Sequence, residues 1–111
     1  MNNEFVMKNE FTLDGKIQKD VKDLDSVIVF NLSVVTGKTK TLKNKDRDKF
    51  TFIKVLYLGE INDEVRNLLQ EGNFVRVYGK LDSEQYVVNS GKVVYNKILS
   101  AHKVEKIDGK E

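Results

Sequence analysis

Along residues 11–17 apolar and polar side chains alternate, with Phe11, Leu13 and Ile17 against Thr12, Asp14 and Lys16. A period of two is that of a half-buried strand. Gly15 lies inside the pattern and predicts a bend or bulge where a barrel turns a corner. Residues 19–25 are polar and charged and read as a connection. Residues 27–35 are rich in β-branched side chains, with Phe30, Leu32 and Val34 on one face and Val27, Val29, Asn31 and Ser33 on the other. Apolar positions on both faces predict a long strand of a closed or packed sheet. Residues 50–58 form the most apolar stretch and predict a central strand.

The period then changes. Ile61, Val65, Leu68 and Leu69 fall at i, i+4, i+7 and i+8, one face of a helix. Asn62 is a candidate N-cap, Asp63 and Glu64 suit the first turn, and Gly72 is the expected residue just past the helix end. Alternation returns at residues 74–81, with Val75, Val77, Gly79 and Leu81 on the core side and Phe74, Arg76, Tyr78 and Lys80 outside. Tyr86, Val87 and Val88, the turn Asn89-Ser90-Gly91, and Val93 onward predict a hairpin whose last strand fades near Ile107. Three strands, a short helix and two strands give an all-β fold. The order is that of a five-stranded Greek-key OB-fold barrel with one short helix between strands 3 and 4. A ferredoxin-like fold needs a helix after the first strand, where residues 19–25 are too few and too polar. An immunoglobulin-like sandwich has no helix at residues 62–71.

A chain of 111 residues suits one domain. With 40% apolar residues the chain is globular rather than disordered. No apolar run nears the roughly 18 residues of a membrane span, and residues 1–10 lack the basic-then-apolar order of a secretory signal. Cysteine is absent, which excludes disulfides, thiol catalysis and cysteine-ligated metal. The expected location is therefore cytoplasmic, with no membrane partner.

The net charge of +2 conceals an uneven distribution. Residues 36–50 carry six cations, Lys38, Lys40, Lys43, Lys45, Arg47 and Lys49, against Asp46 and Asp48. This basic loop is either a phosphate-attracting stretch or a solvated loop. Its TGKTKT glances at a phosphate-binding P-loop, but that motif requires glycine at position 32, which is leucine. His102, the only histidine, reads as a surface residue near a strand end. The acids Asp14, Asp46 and Asp48 have no histidine partners or ligand-spaced motif, so no metal, cofactor or catalytic site is expected.

Several segments, taken in order, resemble the bacterial and phage single-stranded DNA-binding protein family. They are FTLDGKIQKD, VFNLSVV, FTFIKVLYLG, LLQEGNFVRVYGKL and QYVVNSGKVVYNK, running from about residue 9 to 107. The resemblance implies an OB-fold domain at 9–107, a flexible N-terminal extension at 1–8 and a short tail at 108–111. It implies a homo-oligomer, a tetramer ahead of a dimer, that wraps single-stranded DNA over cations and stacking aromatics. Phe52 and Tyr86 fall at family stacking positions and Lys54 at a basic one. Leu58 falls where a further aromatic is common, and Phe50 is a substitute two residues before Phe52. Cellular members end in an acidic tail that recruits partners. The end HKVEKIDGKE reads instead as a tail-less member, or as a chain cut before its tail, and no recruitment of partners through it is expected. Primosomal replication relatives are equally short.

A binder without sequence preference needs positive charge along its path and aromatic faces on which bases stack. Phe50, Phe52 and Tyr86 supply faces. Lys38, Lys40, Lys43, Lys45, Arg47, Lys49 and Lys54 supply charge, with Arg76 and Lys80 as further candidates. Phe52 fits core packing as well as stacking. Tyr57, Tyr78 and Tyr95 are assigned to core or subunit interface. Two classes remain: a non-enzymatic single-stranded DNA binder active in replication, recombination or repair, and a protein–protein adaptor on the same barrel.

Overall fold

The computed structural model describes residues 7–108. Most of the expected N-terminal extension and the last three residues of the expected tail lie outside the described residues. The elements run β1 (Phe11–Ile17), β2 (Lys22–Asp23), β3 (Ile28–Lys40), β4 (Asp46–Tyr57), α1 (Asp63–Leu68), β5 (Phe74–Val87) and β6 (Val93–Lys106). They form one sheet in the order β1-β5-β6-β4-β3-β2, and a further β1–β3 pairing closes five of the strands into a barrel. All pairings are antiparallel except β4–β6. With the two-residue β2 set aside as an edge addition to β3, this is the predicted OB order. The helix lies between the third and fourth barrel strands. β2 occupies the stretch read as a plain connection.

Closure depends on glycine at two seams. A Cβ on Gly15 would sit 2.5 Å from the Ser33 carbonyl oxygen and 2.7 Å from Leu32 Cγ, so only glycine lets β1 cross from β5 to β3. Lys16 and Ile17 make that crossing, pairing with Ser33 and Leu32. Gly79 meets the β6 backbone still more closely, at Ser100 O and Ala101 Cα. There Tyr78 pairs with Lys103 and Gly79 with Ala101, which leaves His102 as the extra residue of a β-bulge.

The core holds Ile17, Ile28, Phe30, Leu32, Val55, Tyr57, Leu69, Val75, Val77, Leu99 and Ala101, all almost fully buried. Tyr57 donates its hydroxyl to the Glu60 carbonyl at 2.7 Å, and burial pushes its pKa up. Ile61, Val65 and Leu68 pack against this cluster, as the helical spacing predicts. Asn62 caps α1 by accepting from Val65 N at 2.9 Å. The helix stops sooner than expected. Leu69 is its C-cap, while Asn73 Nδ2 donates to the Asn67 and Leu68 carbonyls. Gly72, expected just past the helix end, instead takes φ +91° in the turn before β5 and donates to Ile17 O.

Two long hairpins leave the barrel. The radius of gyration is 16.9 Å, against about 13 Å for a compact chain of this length. The segment read as a basic loop is a hairpin, because β3 and β4 stay paired out to Lys40 and Asp46. Its turn is held by Thr41, whose hydroxyl accepts from the Lys43 and Lys45 amides. The second hairpin joins β5 to β6 as predicted, with Gly91 at φ +84° in its turn. Leu81, expected on the core side, is about half exposed because the β1–β5 pairing ends at Gly79, short of it. Val27 and Val29, on the strand face opposite Phe30, and Phe74 and Tyr78, placed outside by the alternation, are each only partly exposed. Neighbouring side chains cover the last two. Lys16 lies over Phe74, and Tyr78 donates to Glu105, which raises the tyrosine and lowers the carboxyl.

Candidate nucleic-acid interface

Strand alternation sorts the candidates by face. On β4, Ile53, Val55 and Tyr57 point inward, so Phe50, Phe52, Lys54 and Leu56 share the outer face. On β5, Val75, Val77 and Gly79 point inward, which leaves Glu84 and Tyr86 outside with Lys80. Phe50, Phe52 and Tyr86 are 52%, 63% and 47% exposed. Neither phenylalanine is therefore a core residue. Val35 and Ser33, the β3 partners of Phe50 and Phe52, continue the face.

One contact ties the two hairpins together. Lys54 Nζ meets both Glu84 carboxylate oxygens, at 3.0 and 3.1 Å. Phe52 stands two residues before Lys54 and Tyr86 two after Glu84, so the ion pair is flanked on one surface by the two candidate stacking rings. Sequence reasoning did not reach Glu84. Its parity with Tyr86 was visible, but its partner lies 30 residues away.

The basic hairpin is less basic on this face than its composition implies. Lys38 is bound to Asp48 at 2.8 Å and Lys40 to Asp46 at 3.4 Å. By strand parity, Asp46 and Asp48 share the face of Phe50, and Arg47 and Lys49 the opposite one. Lys43 and Lys45 lie at the turn. These last four cations make no ion pair among the described residues. Positive charge is thus concentrated at the tip and along the back of the hairpin.

Arg76 is committed elsewhere. Its guanidinium grips Asp14 through two hydrogen bonds of 2.7 and 2.8 Å. That contact raises the Arg76 pKa and holds the Asp14 carboxyl below its usual value. Lys80 lies higher on the barrel and, with Leu58 and His102, lines a separate cleft. The structure therefore gathers Phe50, Phe52, Lys54 and Tyr86, extends them through Lys38 and Lys40, and sets Arg76 and Lys80 apart. Of the three tyrosines assigned to core or interface, Tyr57 is in the core, whereas Tyr95 is 66% exposed on β6.

A closed barrel with this strand order carries aromatics and cations on its outer face and on two protruding hairpins. The model of the Single-strand binding protein family matches residues 8–107. The chain belongs to that family. Among solved structures, the chain resembles a Plasmodium falciparum SSB in complex with ssDNA. The TM-score is 0.71 at 19% identity, covering 97% of this chain and 100% of that one. It also resembles a small single-stranded DNA-binding protein from Streptomyces coelicolor. There the TM-score is 0.63 at 20% identity, with coverage of 91% and 96%. At these identities the likeness establishes the fold shared by members of the single-strand binding family. No curated protein sequence matches the chain significantly.

Proposed function

We propose that this chain binds single-stranded DNA on the outer face of β4 and the β5–β6 hairpin, without strong sequence preference. It protects exposed strands during replication, recombination or repair. Residues 9–107 are the binding domain, and binding involves no catalysis, metal or cofactor. The observation that carries this reading is the exposure of Phe50, Phe52 and Tyr86 on one face with Lys54 among them. Aromatic faces left in water beside a cation suit stacking bases and a phosphate chain. Membership of the single-strand binding family supports the same ligand, and one structural neighbour was solved with ssDNA bound. Where single strands arise sets the place of action, so the proposal carries a cytoplasmic, replication-associated location with it. No helix among the described residues is long and apolar enough to cross a membrane.

Titration with oligothymidylate at several salt concentrations tests the reading. Log affinity should fall with log salt by about 0.7 per phosphate neutralised. Replacing Lys43 and Lys45 at the hairpin tip together by alanine should flatten that slope by about 1.4. Replacing Lys38 and Lys40 should flatten it less, because Asp48 and Asp46 already serve as their counterions. No measurable binding at low salt would refute the function and favour an adaptor. Equal flattening by the two sets would refute the division of charge.

Glu84 competes with phosphate for Lys54. The pair is 41% and 30% exposed, so it contributes little and opens readily. Glu84→Gln should tighten oligothymidylate binding about two- to five-fold. Weaker binding by this variant would show that the pair positions the site rather than restrains it.

The protein is also proposed to act as a homo-oligomer, a tetramer ahead of a dimer. Val87, Val93 and Tyr95 are 68%, 42% and 66% exposed on the face of the β5–β6 hairpin opposite Tyr86. Register sets Val87 against Val93, and contiguous apolar surface of this kind calls for cover. Light scattering should return a multiple of the chain mass. A single-chain mass at micromolar concentration would overturn the assembly.

A further inference from the structure

Three strand registers, read together, run a single line of side chains around the outside of the barrel. Phe52 on β4 pairs with Ser33 on β3, Ser33 with Lys16 on β1, and Lys16 with Phe74 on β5. Residues directly opposite one another share a face and lie about 5 Å apart at Cβ. The line therefore reads aromatic, hydroxyl, cation, aromatic. It spans three inter-strand steps, about 14 Å.

The middle of the line is low. Ser33 is small and 9% exposed. Gly15, whose missing Cβ would point inward at Leu32, leaves only backbone in the cleft lining beside it. The two ends stand higher. Phe52 is mostly exposed, and Lys16 reaches over the Phe74 ring with its Nζ 5.8 Å from the centroid. A cleft follows independently from the surface shape, lined by Lys16, Ser33, Phe50 and Phe74 among others. Two acids on its wall are already neutralised, Asp14 by Arg76 and Asp48 by Lys38. Asp108 lies at its rim.

From this geometry we propose that the bound strand continues past Phe52 across the β1–β3 seam. There it seats a base in the cleft between Phe50 and Phe74 and rests a phosphate on Lys16. The inference rests on the single-stranded DNA reading above and extends it to residues on β1 and at the start of β5. A flat, sequence-tolerant ligand fits the cleft because two rings, Phe50 and Phe74, face it with the Lys16 cation beside them, and Asp14 and Asp48 on its wall are each held by a cation of their own. Lys16 gives up its place over Phe74 as a base takes it, and its charge moves to the backbone. A stacked strand covers 14 Å in about four nucleotides, so the extension sets the length of DNA that one chain engages.

The test uses the full chain and a ladder of oligothymidylates of increasing length. In the parent, affinity should rise with length and level off only when the strand reaches the Phe74 end. Phe74→Leu keeps apolar bulk at a partly buried position. It should bind the shortest oligomers as the parent does, lose about five-fold or more on the longer ones, and level off earlier. Lys16→Gln sits on the surface and leaves the core intact. It should reduce the salt slope by about 0.7 on long oligomers and leave it unchanged on short ones. If the parent binds and both variants follow its curve at every length, the extension is wrong while the site at Phe52 and Tyr86 stands. If the parent binds no oligomer, the function itself is wrong and the extension falls with it.

Discussion

Replacing Phe52 and Tyr86 together by alanine is expected to lower affinity for oligothymidylate by roughly two to four orders of magnitude. Each base–aromatic stack is worth about 1–3 kcal/mol by alanine substitution, and the two rings stand on different strands. Their exposures, 63% and 47%, mean that little core packing is lost with them. The melting temperature should therefore stay near that of the parent, which separates a binding defect from a folding one. The Lys54–Glu84 contact should persist in the double variant, because its atoms are untouched. Fluorescence or calorimetric titration measures the loss. Parent-like affinity in the double variant would remove this face from the binding path.

The second large effect is on stability. Gly79→Ala is expected to destabilise the barrel by about 3 kcal/mol, lowering the melting temperature by roughly 10 °C or more. A Cβ at this position meets the Ser100 carbonyl and Ala101 Cα, which are backbone atoms of the paired strand and cannot rotate away. Either the β5–β6 ladder opens at the His102 bulge or β6 shifts against β4, with which Ser100 and Ala101 also pair. Gly91→Ala provides the contrast. Nothing lies within 4 Å of its would-be Cβ, and only its φ of +84° opposes a side chain, so its cost is about 1 kcal/mol. Thermal unfolding followed by circular dichroism compares them. A Gly79→Ala protein that melts with the parent would show that the seam tolerates a side chain.

Periodicity and punctuation carry the fold in this chain because each acts locally. Alternation at residues 11–17 and 74–80, helical spacing from Ile61 to Leu69, and the turn at Asn89-Ser90-Gly91 each recur in the structure where they were expected. Gly15 was legible as a corner because a glycine inside a strand pattern has few other uses. What failed locally was the reach of competing signals. Lysines and threonines at residues 36–40 read as loop, yet pairing with residues 46–49 carries the strand onward, since a hairpin needs only a partner and a good turn. Gly72 looked like a helix end, but the Asn73 side chain, donating to the Asn67 and Leu68 carbonyls, closes the helix earlier, at Leu68.

The candidate site divides along the same line. The sequence by itself determined the barrel order, the family resemblance, and the presence of Phe50, Phe52 and Tyr86 at strand positions where rings face out or in. Only the tertiary structure decided which way they face, because a strand apolar on both sides carries no sign of its inner face. It also decided which cations are spoken for. Lys38 and Lys40 meet Asp48 and Asp46 through hairpin register, Arg76 meets Asp14 across β1, and Lys54 meets Glu84 across the two hairpins. Lys16 and Phe74 join the outer face only because β1 pairs with β3 and β5 at once. The physical reason is one of range. Propensity and period act over a few residues, whereas ion pairing and barrel closure depend on contacts between residues tens of positions apart.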